Sequence, residues 1–285
     1  MYPVLFHVLG FPVEAFWVAV FAGFLAALFV ARSELRRQGH DPGAAFDLIL
    51  WAYVGGFVGA RLFLVITEWE QFQRDPFELL LSGSGWVWQG GLIGGTIAVV
   101  LKARALGLPL SDVADFAGSC LAIGQAIGRV GCQLAGDGDY GVPTALPWGM
   151  SYPNGAVPTT ERVHPTPIYE TFLYLLIFAV LWRNRLRPHR RGSLFGQYLL
   201  LAGAARFAVE FVRRNPIVGL GLTLAQWVSV LSMAIGVAVL VRGRSRPAAV
   251  VGRRSSVVAQ LMNSPAADDQ RPTTVDRHQE RERGV

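Results

Sequence analysis

VEAFWVAVFAGFLAALFVARSELRR, residues 13–37, is apolar from Val13 to Ala31 apart from Glu14, and closes on Arg32, Arg36 and Arg37. A helix over 13–31 is long enough to cross the roughly 30 Å of hydrocarbon in a bilayer, and the basic cluster suits its cytoplasmic end. Arg32 is the first Lys or Arg of the chain, so no basic region precedes this segment as it would in a cleaved signal peptide. The segment is expected to stay as a helix.

Working outward, the same pattern repeats. Of the 285 residues, 52% are hydrophobic and 16% charged, with a mean hydropathy of +0.37. A soluble domain carries about a quarter charged residues. The expected fold is therefore an all-α, polytopic membrane protein of about seven transmembrane helices, over 13–31, 47–66, 85–101, 112–128, 167–182, 193–212 and 222–241. The pairs Gly55/Gly59, Gly90/Gly94, Gly91/Gly95 and Gly124/Gly128 would let helix backbones approach closely. The net charge of +6 and pI near 9.8 do not imply nucleic acid, because the basic residues lie in short clusters between apolar blocks.

Those clusters set the orientation. Arg32, Arg36, Arg37, Lys102, Arg104, Arg183, Arg185, Arg187, Arg190, Arg191, Arg242, Arg244, Arg246, Arg253 and Arg254 follow the odd-numbered segments. Only Arg74, Arg162, Arg213 and Arg214 fall on the other side. The positive-inside rule then puts the N-terminus outside and the C-terminus in the cytoplasm. Residues 1–244 read as one seven-helix domain with a long outer loop, 130–166, between helices 4 and 5. Residues 245–285, rich in Arg, Pro, Asp and Gln, read as a disordered cytoplasmic tail. Cys120 reads as a small core residue and Cys132 as a thiol at the loop edge, too few for a disulfide framework.

Charged and amide side chains inside the spans converge on one depth. Arg61, Gln89, Gln125, Arg129, Glu170, Arg206, Glu210 and Gln226 all fall in the outer third of the bilayer. A lone arginine near a helix end usually snorkels to the interface, but six helices sharing one polar level point to a site. Arg206 and Glu210, spaced i and i+4, share a helix face and can pair. Arg61 and Arg129 then exceed Glu170, so the site is expected to attract an anion. A planar guanidinium fork suits phosphate, and at this depth the simplest phosphate is that of a phospholipid.

The motifs carry a resemblance. GAR at 59–61, GGLIGG at 90–95, GQAIGRVGC at 124–132, AGDGDYG at 135–141, LPWGM at 146–150, HPTPIYE at 164–170, RFAVEFVR at 206–213 and LTLAQWVS at 222–229 follow one another over roughly 11–240. In this the sequence resembles the prolipoprotein diacylglyceryl transferases of the bacterial cytoplasmic membrane. The resemblance implies transfer of the diacylglyceryl group of phosphatidylglycerol to the lipobox cysteine of a preprolipoprotein signal peptide, releasing glycerol 1-phosphate. It implies no cofactor and no metal. By it Arg129 and Arg206 are the essential arginines that hold the lipid phosphate, with Arg61 and Gln89 near the headgroup. Glu210 orients Arg206, Asp137 is the acidic residue and Gly141 the motif glycine.

The chain departs from that pattern at two places. Gln89 stands where the family often has histidine, and Phe16-Trp17 where it usually has Tyr-Gly. An amide takes no proton at neutral pH and Phe has no hydroxyl, which leaves Asp137, Asp139 and His164 as candidate proton carriers. Two alternatives stand beside the transferase. One is a relative that binds phospholipid or signal peptide without chemistry, favoured by Gln89 and Phe16. The other is a small-solute transporter, disfavoured because no inverted repeat is visible and the charges avoid the midplane.

Overall fold

In the computed structural model, which describes residues 1–81 and 87–242, the apolar runs are helices. They are α1 (Ala15–Gln38), α2 (Ala44–Thr67), α3 (Trp69–Arg74), α4 (Pro76–Leu81), α5 (Trp88–Ala105), α6 (Leu110–Ala135), α7 (Thr166–Asn184), α8 (Ser193–Glu210) and α9 (Leu224–Arg242). Seven of the described helices have 18 residues or more. Three of them, α1, α2 and α9, are long and apolar enough to cross a membrane. The other four are less apolar and carry most of the polar side chains: Gln89 on α5, Arg129 on α6, Glu170 on α7, Arg206 and Glu210 on α8. The expected tail, 245–285, lies outside the described residues.

The fold is mostly helical but not wholly so. Three antiparallel hairpins accompany the helices, one before α1 and two between helices: β1 (Val4–Val8) with β2 (Phe11–Glu14), β3 (Met150–Tyr152) with β4 (Thr159–Val163), and β5 (Ile217–Gly219) with β6 (Leu222–Thr223). Each is short and contains a register shift, so none shows the clean alternation by which strands are read from sequence.

Helix α6 also runs past the expected end at 128, to Ala135, where Gly136 adopts the left-handed conformation that stops it. Arg129 and Cys132 therefore lie inside the helix, and Cys132 is a buried helical residue rather than a loop-edge thiol. Cys120 is in the core as expected, its thiol against the Ala27 carbonyl at 3.4 Å.

Glycine governs the closest helix contact. A Cβ on Gly59 of α2 would lie 2.3 Å from the Gly90 carbonyl of α5, so only glycine admits this approach. Helix α1 lies along α6, and α6, α7 and α8 share a core of Ala122, Ala126, Tyr174, Ile177 and Tyr198. At the far end of this bundle, the fully buried Asp115 of α6 accepts hydrogen bonds from the backbone N–H groups of Gly192 (3.1 Å) and Leu194 (3.0 Å). That carboxylate satisfies two orphan donors at the start of α8 and locks its position against α6. The connection over 136–165 is ordered around Tyr140, Tyr152 and Val163.

Candidate active site

At the end of the bundle where α6 and α8 finish, the polar side chains meet. Arg206, Glu210 and Arg213 are spaced i, i+4 and i+7, so one helical face presents all three as α8 gives way to a turn. Glu170 comes from the second turn of α7 and Asp139 from the loop just after α6. Three guanidiniums and three carboxylates interlock. Arg129 Nε lies 2.8 Å from Glu170 Oε2, and its Nη1 meets Asp139 Oδ2. Arg206 Nη1 lies 2.6 Å from Glu210 Oε2 and 3.7 Å from Glu170 Oε1. Arg213 Nη2 lies 2.5 Å from Asp139 Oδ1, and its Nη1 is 3.6 Å from Glu170 Oε2.

The second oxygen of Glu210 fixes the site to α9. Glu210 Oε1 accepts from Asn215 Nδ2 and from Thr223 Oγ1, both at 2.7 Å. Thr223 and Gln226 in turn exchange backbone and side-chain bonds at the start of α9, the reciprocal arrangement of a capping box. Glu210 thus orients Arg206 while being held by two neutral donors.

This cluster is balanced, three cations against three anions, and the excess of positive charge expected from Arg61 and Arg129 is absent from it. Arg213 supplies a cation that the sequence reading assigned to topology, and Asp139 and Glu210 supply anions. Arg61 sits elsewhere, on α2, with its Nη1 on the Leu79 carbonyl at 3.3 Å. Gln89 is exposed in the first turn of α5, the glycine-packed partner of α2. The structure therefore brings Arg129, Arg206 and Glu210 into one network and sets Arg61 and Gln89 on a different helix pair.

The carboxylates differ in access. Asp139 is 31% exposed, Glu170 2% and Glu210 0%. Several buried atoms at the centre, Nη1 of Arg206, Nη1 of Arg213 and both oxygens of Glu170, lie at ion-pair distance but have no aligned hydrogen bond. Such half-satisfied groups are costly in a dry interior unless a ligand completes them.

Two aspartates at this end are driven apart in acidity. Burial alone would raise Asp139, but the Arg129 and Arg213 guanidiniums outweigh it and hold the carboxyl below its ordinary range. Burial and then the Asp139 charge push Asp137 up. Asp137 touches the network only indirectly, accepting the Asp139 backbone N–H at 3.2 Å. Cys132, Asp137 and Asp139 also offer ligand atoms within 4.8 Å of one another, but Asp139 is committed to two guanidiniums.

His164 borders an open apolar cleft of about 470 Å³ that Leu146, Trp148, Tyr169, Val209 and Val212 also line. The Trp148 indole N–H donates to the Tyr169 hydroxyl at 2.8 Å, and His164 Nδ1 lies 3.2 Å from the same oxygen. Indole only donates. Gly141 lies behind this wall. A Cβ there would sit 2.1 Å from the Val212 carbonyl and 2.9 Å from His164 Cβ, so glycine lets the loop dock on the end of α8. The backbone of Phe16 packs on Gly131 of α6, its Cα and carbonyl oxygen each 3.4 Å from where a Cβ would be.

Arg213 and Asp139 are the members that sequence reading undervalued. The i+7 spacing from Arg206 was the available sign for Arg213. Nothing local marks Asp139 over Asp137.

A family model described as prolipoprotein diacylglyceryl transferase matches residues 3–242. The chain is similar to the phosphatidylglycerol–prolipoprotein diacylglyceryl transferase of Clostridium tetani, at 31% identity over 83% of this chain and 96% of that protein. It is likewise similar to the proteins of that name from Idiomarina loihiensis, 32% identical over 86% of this chain and 94% of the relative, and Chromohalobacter salexigens, 34% identical over 83% and 91%. Matched over nearly its whole described length, with motif arginines that converge in space, the chain belongs to the prolipoprotein diacylglyceryl transferase family.

Proposed function

We propose that this protein transfers the diacylglyceryl group of phosphatidylglycerol to the lipobox cysteine of preprolipoproteins, within the bacterial cytoplasmic membrane. The observation that carries the reading is the network of Arg129, Arg206 and Arg213, in which Nη1 of Arg206 and Nη1 of Arg213 are buried without an aligned acceptor. In the reaction a cysteine sulfur forms a bond to the glycerol carbon that bears the phosphate. The carbon–oxygen bond breaks, and glycerol 1-phosphate leaves with the electron pair. Guanidiniums placed where that charge grows lower the barrier.

Because the cluster is already balanced, a phosphodiester enters only if a carboxylate yields. Asp139, the most exposed, bridges Arg129 and Arg213 through separate oxygens as two phosphate oxygens would, and it is the one displaced. Glu170 and Glu210 stay to position the arginines. The thiol, of ordinary pKa about 8.5, needs a base, and Asp137 with its raised pKa is the candidate. His164, on the cleft wall beside Tyr169, is the further proton carrier within reach of the lipid. Gln89 and Arg61 contact the headgroup from the α2–α5 side, and Gly141 acts through the loop it seats.

The topology reading belongs to the same proposal. The seven long helices each span the membrane, with the N-terminus and the arginine site outside and residues 245–285 a cytoplasmic tail. The Asp115 lock then sits at the inner face, among the basic clusters.

The test is thioether formation on a lipobox peptide, read as a mass shift. Arg129→Ala and Arg206→Ala are each expected to abolish transfer in a protein that remains folded and inserted, and Asp137→Asn to lower it by about 10² to 10⁴ as loss of a general base does. Near wild-type turnover in both arginine variants overturns the phosphate clamp.

A further inference from the structure

Two of the three hairpins share an unusual turn. In β1–β2 the connecting residues are Leu9 and Gly10, with φ of 51° and 86°. In β5–β6 they are Leu220 and Gly221, with φ of 51° and 75°. Two-residue turns with both φ positive ordinarily take Asn-Gly or Asp-Gly, because a branched apolar side chain is strained there. Leu9 and Leu220 are the only described non-glycine residues with positive φ. They are also among the most exposed apolar residues, at 95% and 88%. Strain that places leucine where asparagine would serve better in water, at two unrelated turns, requires that the tip not be in water.

Both hairpins stand at the arginine end. The Tyr2 N–H donates to the Leu134 carbonyl at the end of α6, and Thr223 at the base of β6 donates to Glu210. Each hairpin runs directly into a helix long and apolar enough to cross a membrane, α1 after Glu14 and α9 after Thr223. The Trp227 indole N–H donates to the Gly219 carbonyl at 3.3 Å, which folds β5 back along the first turn of α9. The exposed apolar surface of α9, at Leu224, Val228 and Leu231, so continues into Ile217, Val218 and Leu220. His7 is the only ionisable side chain between Val4 and Val13, and 217–223 contains none.

We propose that the two hairpins are lipid wedges, each inserting its leucine tip into the hydrocarbon of the leaflet at the arginine end and so seating the site at the level of the phospholipid headgroups. Acyl chains are favoured over a protein partner because the wedges extend surfaces of α1 and α9 that hydrocarbon already covers, on two separate elements. The proposal rests on the membrane-spanning reading of those helices and not on the transfer chemistry.

The experiment places a nitroxide at Leu9→Cys, Leu220→Cys, Leu231→Cys and Glu161→Cys in turn, in the full chain reconstituted in vesicles of phosphatidylethanolamine and phosphatidylglycerol. Cys120 and Cys132 are buried, so the label goes to the introduced thiol. Collision with oxygen, which concentrates in hydrocarbon, is compared with collision with a water-soluble nickel chelate. Leu231, 61% exposed on α9, reports the helix, and Glu161, 65% exposed, reports the aqueous loop. Both tips are expected to group with Leu231, with oxygen favoured over nickel several-fold. Tips that group with Glu161 while Leu231 stays oxygen-accessible overturn the wedges and leave the spanning helices standing. Tips shielded from both reagents show a protein partner, a signal peptide or a second copy, and overturn the proposal as well. Leu231 grouping with Glu161 removes the membrane reading and the wedges together.

Discussion

Asp139 joins Arg129 to Arg213 through its two oxygens, and its charge is what keeps the cluster neutral. Asp139→Asn removes that charge and leaves two guanidiniums without their most accessible partner. Breaking a fully buried pair costs about 3–5 kcal/mol; with the carboxylate 31% exposed, solvent screening reduces the expected loss to about 1–2 kcal/mol. The check is thermal unfolding in detergent, with and without phosphatidylglycerol. The lipid is expected to raise the midpoint of Asp139→Asn more than that of wild type, since its phosphate takes the vacated place. Equal shifts in both proteins would show that phosphate and Asp139 do not compete. The sign with pH follows from the depressed pKa. This carboxylate stabilises the fold above its unfolded value of about 3.9, and the contribution is lost as pH falls through the lower folded value.

At the scale of helices, glycine does different work at positions that look alike in sequence. Gly94 of α5 has the Gly55 carbonyl 2.3 Å and the Gly59 Cα 2.8 Å from where a Cβ would be. Gly124 of α6, in an equivalent four-residue repeat, has its nearest neighbour at 4.0 Å. Gly94→Ala is therefore expected to push α2 from α5 and cost about 1–3 kcal/mol as overpacking does. Gly124→Ala is expected to be neutral or stabilising by up to about 1 kcal/mol, through helix propensity alone. Denaturant unfolding of both variants in detergent measures the contrast, and equal losses would show that small size rather than contact distance sets the requirement. The stripes were legible as repeats. Which glycines bear a crossing depends on where α2 and α5 meet in space, and no local pattern records that.

For the whole molecule, residues 245–285 have too little apolar content for a core, and on the proposed topology they lie across the membrane from the site. A chain ending at Arg246 is expected to keep wild-type transfer, measured by the same mass shift, and a large loss in a well-inserted truncation would assign the tail a role. The long helices were legible because a 20-residue apolar run has few alternatives to a helix. The shared depth of Arg129, Arg206, Glu170 and Glu210 was legible because helical rise converts position into height. The hairpins were not, since a strand of two to five residues with a register shift leaves too little alternation to detect. The sequence by itself determined the helices, the level of the polar side chains and the i, i+4, i+7 face of α8, all consequences of covalent order and local geometry. Only the tertiary structure decided that Asp139 rather than Asp137 meets Arg129, that Arg213 joins the cluster and Arg61 does not, and that the charges balance. Ion pairs form between groups brought together by packing, and Arg213 and Asp139 are 74 residues apart along the chain.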